Sequence, residues 1–286
     1  MAERFHSHIR ADLWLLFVTL IWGTSFPLVK TALTDVSPLL FLAIRFALGA
    51  VFIFPFVSRK IKGCTKSLFR RGILLGLPMS LGMMLQTLGL QYTTASKSAF
   101  LTGLCVVFVP ILVIAVEKRT PKKESLAGVV LAVTGIYFLT NPDGGGMNKG
   151  DLLTLFCAVS FAFQILFVEM LVRENESDVL TFIMVASTAV LSGIASFLFE
   201  TPRLHATATL LGALGFLAVF CTAVAFRLQV YWQPRTTATA AAVIYTMESV
   251  FAAILAYIFL NERLSASASL GAGMILSGMI FAEFRK

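Results

Sequence analysis

The stretch TTATAAAVIYTMESVFAAILAYIFL, residues 236–260, decides how this chain is read, because in all its length Glu248 is the one charge. At about 1.5 Å of rise per residue such a run crosses the roughly 30 Å hydrocarbon core of a bilayer and puts Glu248 about 18 Å from either end. A carboxylate near the midplane costs several kcal/mol unless it is partnered or neutral. The helix that carries it therefore belongs to a bundle with a polar interior.

Similar runs recur along the chain, at 12–33, 38–57, 72–92, 96–116, 124–140, 151–172, 179–199, 209–231, 237–260 and 267–284, with short polar loops between them. Hydrophobic residues make up 58% of the 286, charged ones 13%, and the mean hydropathy is +0.87, more apolar surface than one soluble core can hide. Continuous apolar runs, rather than ten-residue segments of alternating polarity, exclude a membrane β-barrel and leave helices. The pattern predicts an all-α membrane protein with ten transmembrane helices.

The net charge of +8 follows the loops and gives no sign of nucleic-acid binding. SRKIKGCTKSLFRR (58–71) carries six Lys/Arg and EKRTPKKE (117–124) four, whereas TALTDVS (31–37) and TNPDGGGM (140–147) carry none. With an even number of spans both termini share the basic face, which the positive-inside rule makes cytoplasmic. The expected location is the cell membrane, or the inner membrane of a Gram-negative cell. The apolar start runs through WGTSFPLVKTAL without a small-residue cleavage site, so it reads as a retained first helix. Cys64, Cys105, Cys157 and Cys221 form no CxxC pair and suggest neither a disulfide framework nor a metal site.

A shift of 143 residues superposes Gln86 on Gln229, Thr94 and Ala95 on Thr237 and Ala238, Gly128 on Gly271 and Gly135 on Gly278. The glycine-rich segment 141–150 then falls between the halves as a linker, leaving repeats at 12–140 and 151–284. Five spans is an odd number, so the second repeat enters the membrane upside down. Two inverted five-helix repeats around a midplane site are the architecture of many secondary transporters.

The chain resembles the EamA-type permeases of the drug/metabolite transporter superfamily. The resemblance rests on IWGTSFPLVK (21–30), SPLLFLAIRFALGA (37–50), LQTLGLQYTTASKSAFLTGLCVVFVP (85–110), GDLLTLFCAVSFAF (150–163) and YTMESVFAAILAYIFLNERLSASASLGAGMILSGMIF (245–281). Ser249 stands where the family usually has a proline after the glutamate. The resemblance implies ten helices, two repeats, and efflux or uptake of small metabolites such as amino acids.

Polar or aromatic groups inside apolar spans nominate a substrate site of Trp22, Thr24, Ser25, Arg45, Gln86, Gln164, Tyr245 and Glu248. Glu248 reads as a proton-coupling or substrate-binding carboxylate, or as a hydrogen-bond partner of a neighbouring helix. Tyr245, one turn earlier on the same face, can offer its hydroxyl to substrate or to that carboxylate. Pro27 removes an N–H beside Thr24 and Ser25 and can free carbonyls toward a cavity. Arg45 lies about 10 Å inside its span, too deep for comfortable snorkelling, and suits a substrate carboxylate, whereas Lys30 and Arg227 sit near helix ends and are expected to snorkel. Trp14 and Trp232 fit an interfacial belt.

Enzyme chemistry finds no support: His6, His8 and His205 lie in the tail or a loop, and GGG at 144–146 lacks the lysine and strand context of a phosphate loop. The expected function is a secondary transporter moving small metabolites, amino acids or related compounds, as an exporter coupled to protons. A passive facilitator or channel is the alternative, with an intramembrane enzyme a distant third. No cofactor or metal is expected; the partners are a small-molecule substrate, membrane lipid and protons, with a monomer or homodimer as the assembly.

Overall fold

The computed structural model describes residues 2–117, 123–140, 146–173 and 176–283. They are almost wholly helical and form no sheet; an isolated antiparallel bridge joins Val36 to Leu204. Part of the basic segment 117–124 and residues 141–145 of the linker lie outside the described residues.

The first half runs through α1 (Ala2–Gly23), α2 (Ser25–Ala32), α3 (Pro38–Val57), α4 (Lys66–Leu90), α5 (Ala95–Gly103), α6 (Cys105–Glu117) and α7 (Lys123–Thr140). The second runs through α8 (Lys149–Leu171), α9 (Ser177–Phe199), α10 (Ala208–Phe216), a π-helical stretch (Leu217–Val224), α11 (Ala225–Trp232), α12 (Ala238–Tyr245), α13 (Met247–Leu260) and α14 (Ala266–Glu283). Consecutive pieces join into eight runs long and apolar enough to cross a membrane among the described residues: Arg10–Ala32, Pro38–Val57, Lys66–Leu90, Ala95–Val116, Lys149–Leu171, Ser177–Phe199, Ala208–Arg235 and Ala238–Leu260. α7 and α14 stand outside that count and pack on each other, so closely that a methyl group at Gly135 would come within 2.7 Å of the Gly271 carbonyl oxygen. α4 starts at Lys66, six residues before its apolar run, because the Thr65 hydroxyl accepts from the Leu68 N–H and caps the extra turns.

The bundle is apolar outside and polar within. Val51, Phe52, Phe197 and Phe259 are exposed, while Arg45, Gln86, Gln164, Gln229 and Gln233 are buried. In water this would be a costly surface; in hydrocarbon it is the favourable one, and the buried amides must satisfy one another.

Three of the spanning runs are broken at mid-depth. The first breaks at Thr24, whose hydroxyl turns back to the Ile21 carbonyl at 2.6 Å, and Pro27 has no N–H to give the Gly23 carbonyl. Thr246 does the same between α12 and α13, bonding Val243 at 2.8 Å. Between α5 and α6 the Leu104 N–H reaches back three residues, to Leu101. The last two broken runs begin alike: Thr94 caps α5 by accepting from the Lys97 N–H, and Thr237, 143 residues on, caps α12 by accepting from the Ala240 N–H. Each start also receives a carboxylate: Glu262 takes the Ala95 and Ser96 N–H groups, and Glu169 takes that of Ala238.

Candidate functional site

The breaks converge on a cavity of about 50 Å³, lined from α1 to α5 by Trp22, Ser25, Arg45, Met79, Met83, Gln86 and Thr102, and from α8 to α13 by Phe161, Gln164, Phe226, Gln229, Tyr245, Glu248 and Ser249. That is room for roughly three or four waters. Seven of the eight residues nominated from sequence line it. Thr24 does not: its hydroxyl is occupied by the Ile21 carbonyl, with the Cys221 sulfur 3.7 Å away.

Helix α3 carries Arg45 into the wall, 3% exposed. Its Nε donates to the Thr222 hydroxyl at 3.0 Å and its guanidinium lies 5.4 Å from the Phe46 ring centre. Thr222 belongs to the π-helical stretch, where the wider turn also leaves the Cys221 carbonyl to accept from the Trp22 indole N–H at 3.1 Å. One irregular turn thus holds two cavity side chains from the other half of the chain. The Trp22 ring packs against Phe226 at 5.2 Å and Tyr245 at 5.6 Å, giving the cavity an aromatic wall.

Across from them the amides close a network. Gln164 and Gln229 exchange hydrogen bonds at 3.4 and 3.2 Å; Gln229 also donates to the Gln233 side-chain oxygen, which accepts from the Tyr245 hydroxyl at 3.2 Å, and Gln233 donates to the Ile165 carbonyl. On the other flank Gln86 donates to the Thr102 hydroxyl at 3.1 Å. The Tyr245 hydroxyl therefore serves the amide network rather than Glu248.

Glu248 lies in the first turn of α13, two residues after the Thr246 break, half-buried and facing the cavity. Among the described residues neither it nor Arg45 has an ionic partner, and the Glu248 carboxylate accepts no hydrogen bond. Ser249 beside it lacks the ring of the expected proline and uses its freedom otherwise: its hydroxyl donates to the Ala99 carbonyl on α5 at 2.8 Å, tying one broken helix to the other.

Lys30 and Arg227 do not simply snorkel. The Lys30 ammonium donates to the Leu90 and Thr93 carbonyls at the end of α4, and Arg227 pairs with Asp178 at 2.9 Å. Trp14 and Trp232 stack on each other. Sequence reasoning passed over Gln229, although it lies under Gln86 at the 143-residue shift, and Met79, Met83 and Phe226, whose apolar side chains give no signal inside apolar spans.

Helices that are apolar outward and surround a small cavity with a few buried polar groups in its wall define a multi-pass membrane protein of the solute-moving class. The chain belongs to the EamA-like transporter family, whose model matches residues 9–141 and again residues 148–284. An uncharacterized transporter of Archaeoglobus fulgidus is 37% identical over 275 residues, covering 96% of this chain and 86% of that protein. A protein of Escherichia coli K12 described as a "Probable amino-acid metabolite efflux pump" is 25% identical, over 94% of this chain and 93% of its own length. A crystal structure at 16% identity superposes over 96% of both chains with a TM-score of 0.71, a likeness of fold alone.

Proposed function

We propose that this transporter is a secondary exporter of small amphoteric metabolites, amino acids or their relatives, driven by protons that load and leave Glu248. The observation that carries this reading is the pair Arg45 and Glu248: opposite charges on one cavity, neither with an ionic partner among the described residues. An unpaired buried cation and an unpaired carboxylate are each expensive in a bilayer. A zwitterion offers the missing partner to both, its carboxylate to the Arg45 guanidinium in the forked geometry that arginine favours. Trp22, Ser25, Gln86, Gln164 and Tyr245 complete the site as hydrogen-bonding and stacking groups, and the name of the Escherichia coli relative agrees in substrate class.

The same reading makes the chain ten helices in two inverted repeats, 12–140 and 151–284, with α7 and α14 as the fifth and tenth. Its support is the family model matching each half in turn and the capped, broken runs that begin 143 residues apart. In this reading both termini face the cytoplasm, and a cysteine replacing Asp35 reacts with an impermeant thiol reagent from outside while one replacing Lys62 does not.

The functional test uses purified protein in liposomes, a panel of amino acids and an imposed pH gradient. Zwitterionic amino acids should move against their own gradient when protons flow the other way. Uptake that only equilibrates, whatever the pH gradient, would make the protein a passive facilitator.

A further inference from the structure

Between α4 and α9 the outer surface opens into an apolar groove of about 770 Å³ that takes no part in the central cavity. Phe69, Ile73 and Leu77 form one wall at helical spacing, and Phe182, Ala186 and Val190 the other. From Lys66 at its mouth to Leu77 the groove runs about 16 Å, the depth of one leaflet of a roughly 30 Å hydrocarbon core. A single acyl chain fits that length.

The mouth is built from Ile61, Cys64, Thr65 and Lys66, inside the segment 58–71 with its six Lys/Arg. Two of those cations are already engaged: Lys60 pairs with Asp178 at 2.7 Å and Arg71 with Glu176 at 2.6 Å. Arg59, Lys62, Lys66 and Arg70 have no ion pair among the described residues. Lys66 thus stands in the mouth of a chain-length apolar slot, with Arg59, Lys62 and Arg70 in the same exposed segment within seven residues of it, and no carboxylate lines the slot.

We infer that this groove is a binding site for one anionic phospholipid, its acyl chain between α4 and α9 and its phosphate among Lys66 and the neighbouring cations. Charge selects this occupant over a zwitterionic lipid, since each lysine or arginine near an anionic headgroup adds attraction that a neutral headgroup forgoes. The inference is independent of the substrate and of the transport direction.

Native mass spectrometry of the full-length protein in neutral detergent, titrated with phosphatidylglycerol or with phosphatidylcholine, tests it. One phosphatidylglycerol should stay bound at concentrations where phosphatidylcholine does not. Lys66→Gln, at an exposed position that leaves folding intact, should weaken retention about fivefold, whereas Arg263→Gln, in the exposed turn after α13, should leave it unchanged. Val190→Trp fills the slot and should weaken retention more than tenfold. Equal retention of the two lipids, or undiminished phosphatidylglycerol binding in both Lys66→Gln and Val190→Trp, overturns the site. A dimer in the wild type that Val190→Trp disperses also overturns it, by giving the groove to a second copy of the chain.

Discussion

The ends of the bundle and its middle treat charge in opposite ways. At the ends the carboxylates are engaged, with cations or with the N–H groups of helix starts: Lys60 and Arg227 share Asp178, Arg71 grips Glu176 through both of its terminal nitrogens, Lys97 meets the fully buried Asp151 at 3.0 Å, and Glu262 takes the Ala95 and Ser96 N–H groups. In the middle Arg45 and Glu248 line one cavity and neither has an ionic partner among the described residues. The end carboxylates do their work within the protein, whereas the central pair is arranged for something that arrives and departs.

The largest effect on this contrast comes from Glu248→Gln, which keeps the shape and removes the charge. The variant should fold and bind, yet lose its acceleration by an imposed pH gradient in liposomes. Unchanged pH dependence would make Glu248 a structural group and remove the contrast. Arg45→Ala comes next: a substrate bearing a carboxylate should bind more weakly by about 1–3 kcal/mol, read as a rise in the half-saturating concentration at normal expression. If affinity holds, Arg45 belongs with the end charges.

Thr222→Val sharpens the comparison. It removes the hydroxyl that orients the Arg45 Nε while keeping the charge. Affinity should fall by about 1 kcal/mol, with the maximal rate little changed, because the guanidinium remains in the cavity.

The smallest effect belongs to the ends. Arg71→Ala should lower stability by no more than about 1 kcal/mol, since the pair with Glu176 is partly open to solvent. Hydrogen bonding from Arg71 holds the Glu176 carboxyl below the usual carboxylate range. Its folded-state pKa is thus depressed, so its contribution is present above the unfolded value of about 4.3 and is lost as pH falls through the folded one. The difference in melting temperature between wild type and Glu176→Gln should shrink as pH is taken from 6 to 3.

The middle of the bundle was legible in the sequence and the pairing at its ends was not, since Arg227 reads as a snorkelling cation until Asp178 folds against it. Hydropathy places the spans because bilayer thickness leaves little choice of length, and isolated polar residues such as Gln164 and Glu248 stand out against apolar neighbours. Thr24 misled because a mid-helix hydroxyl can satisfy itself on a carbonyl three residues back; the same habit at Thr246 sets the break beside Glu248 without the proline the family uses. The π-helical turn at 217–224 has no residue of unusual type to announce it, and its importance lies in which carbonyl and hydroxyl it turns toward Trp22 and Arg45. The start of α4 was hidden by charge: KSLFRR looks like loop until the Thr65 cap is seen.

The carboxylates that cap the first half have a bearing on how the chain is made. Glu200 accepts from the Leu39 and Leu40 N–H groups at the start of α3, and Glu262 from those at the start of α5. Synthesis proceeds from the N-terminus at roughly 5–20 residues per second, so α5 emerges well before the glutamate that completes it. A ribosome halted after α7 would leave helix starts whose buried N–H groups wait for residues not yet translated. The early half expressed alone should therefore be degraded faster than the full chain, and co-expressing the late half as a separate chain should restore its lifetime.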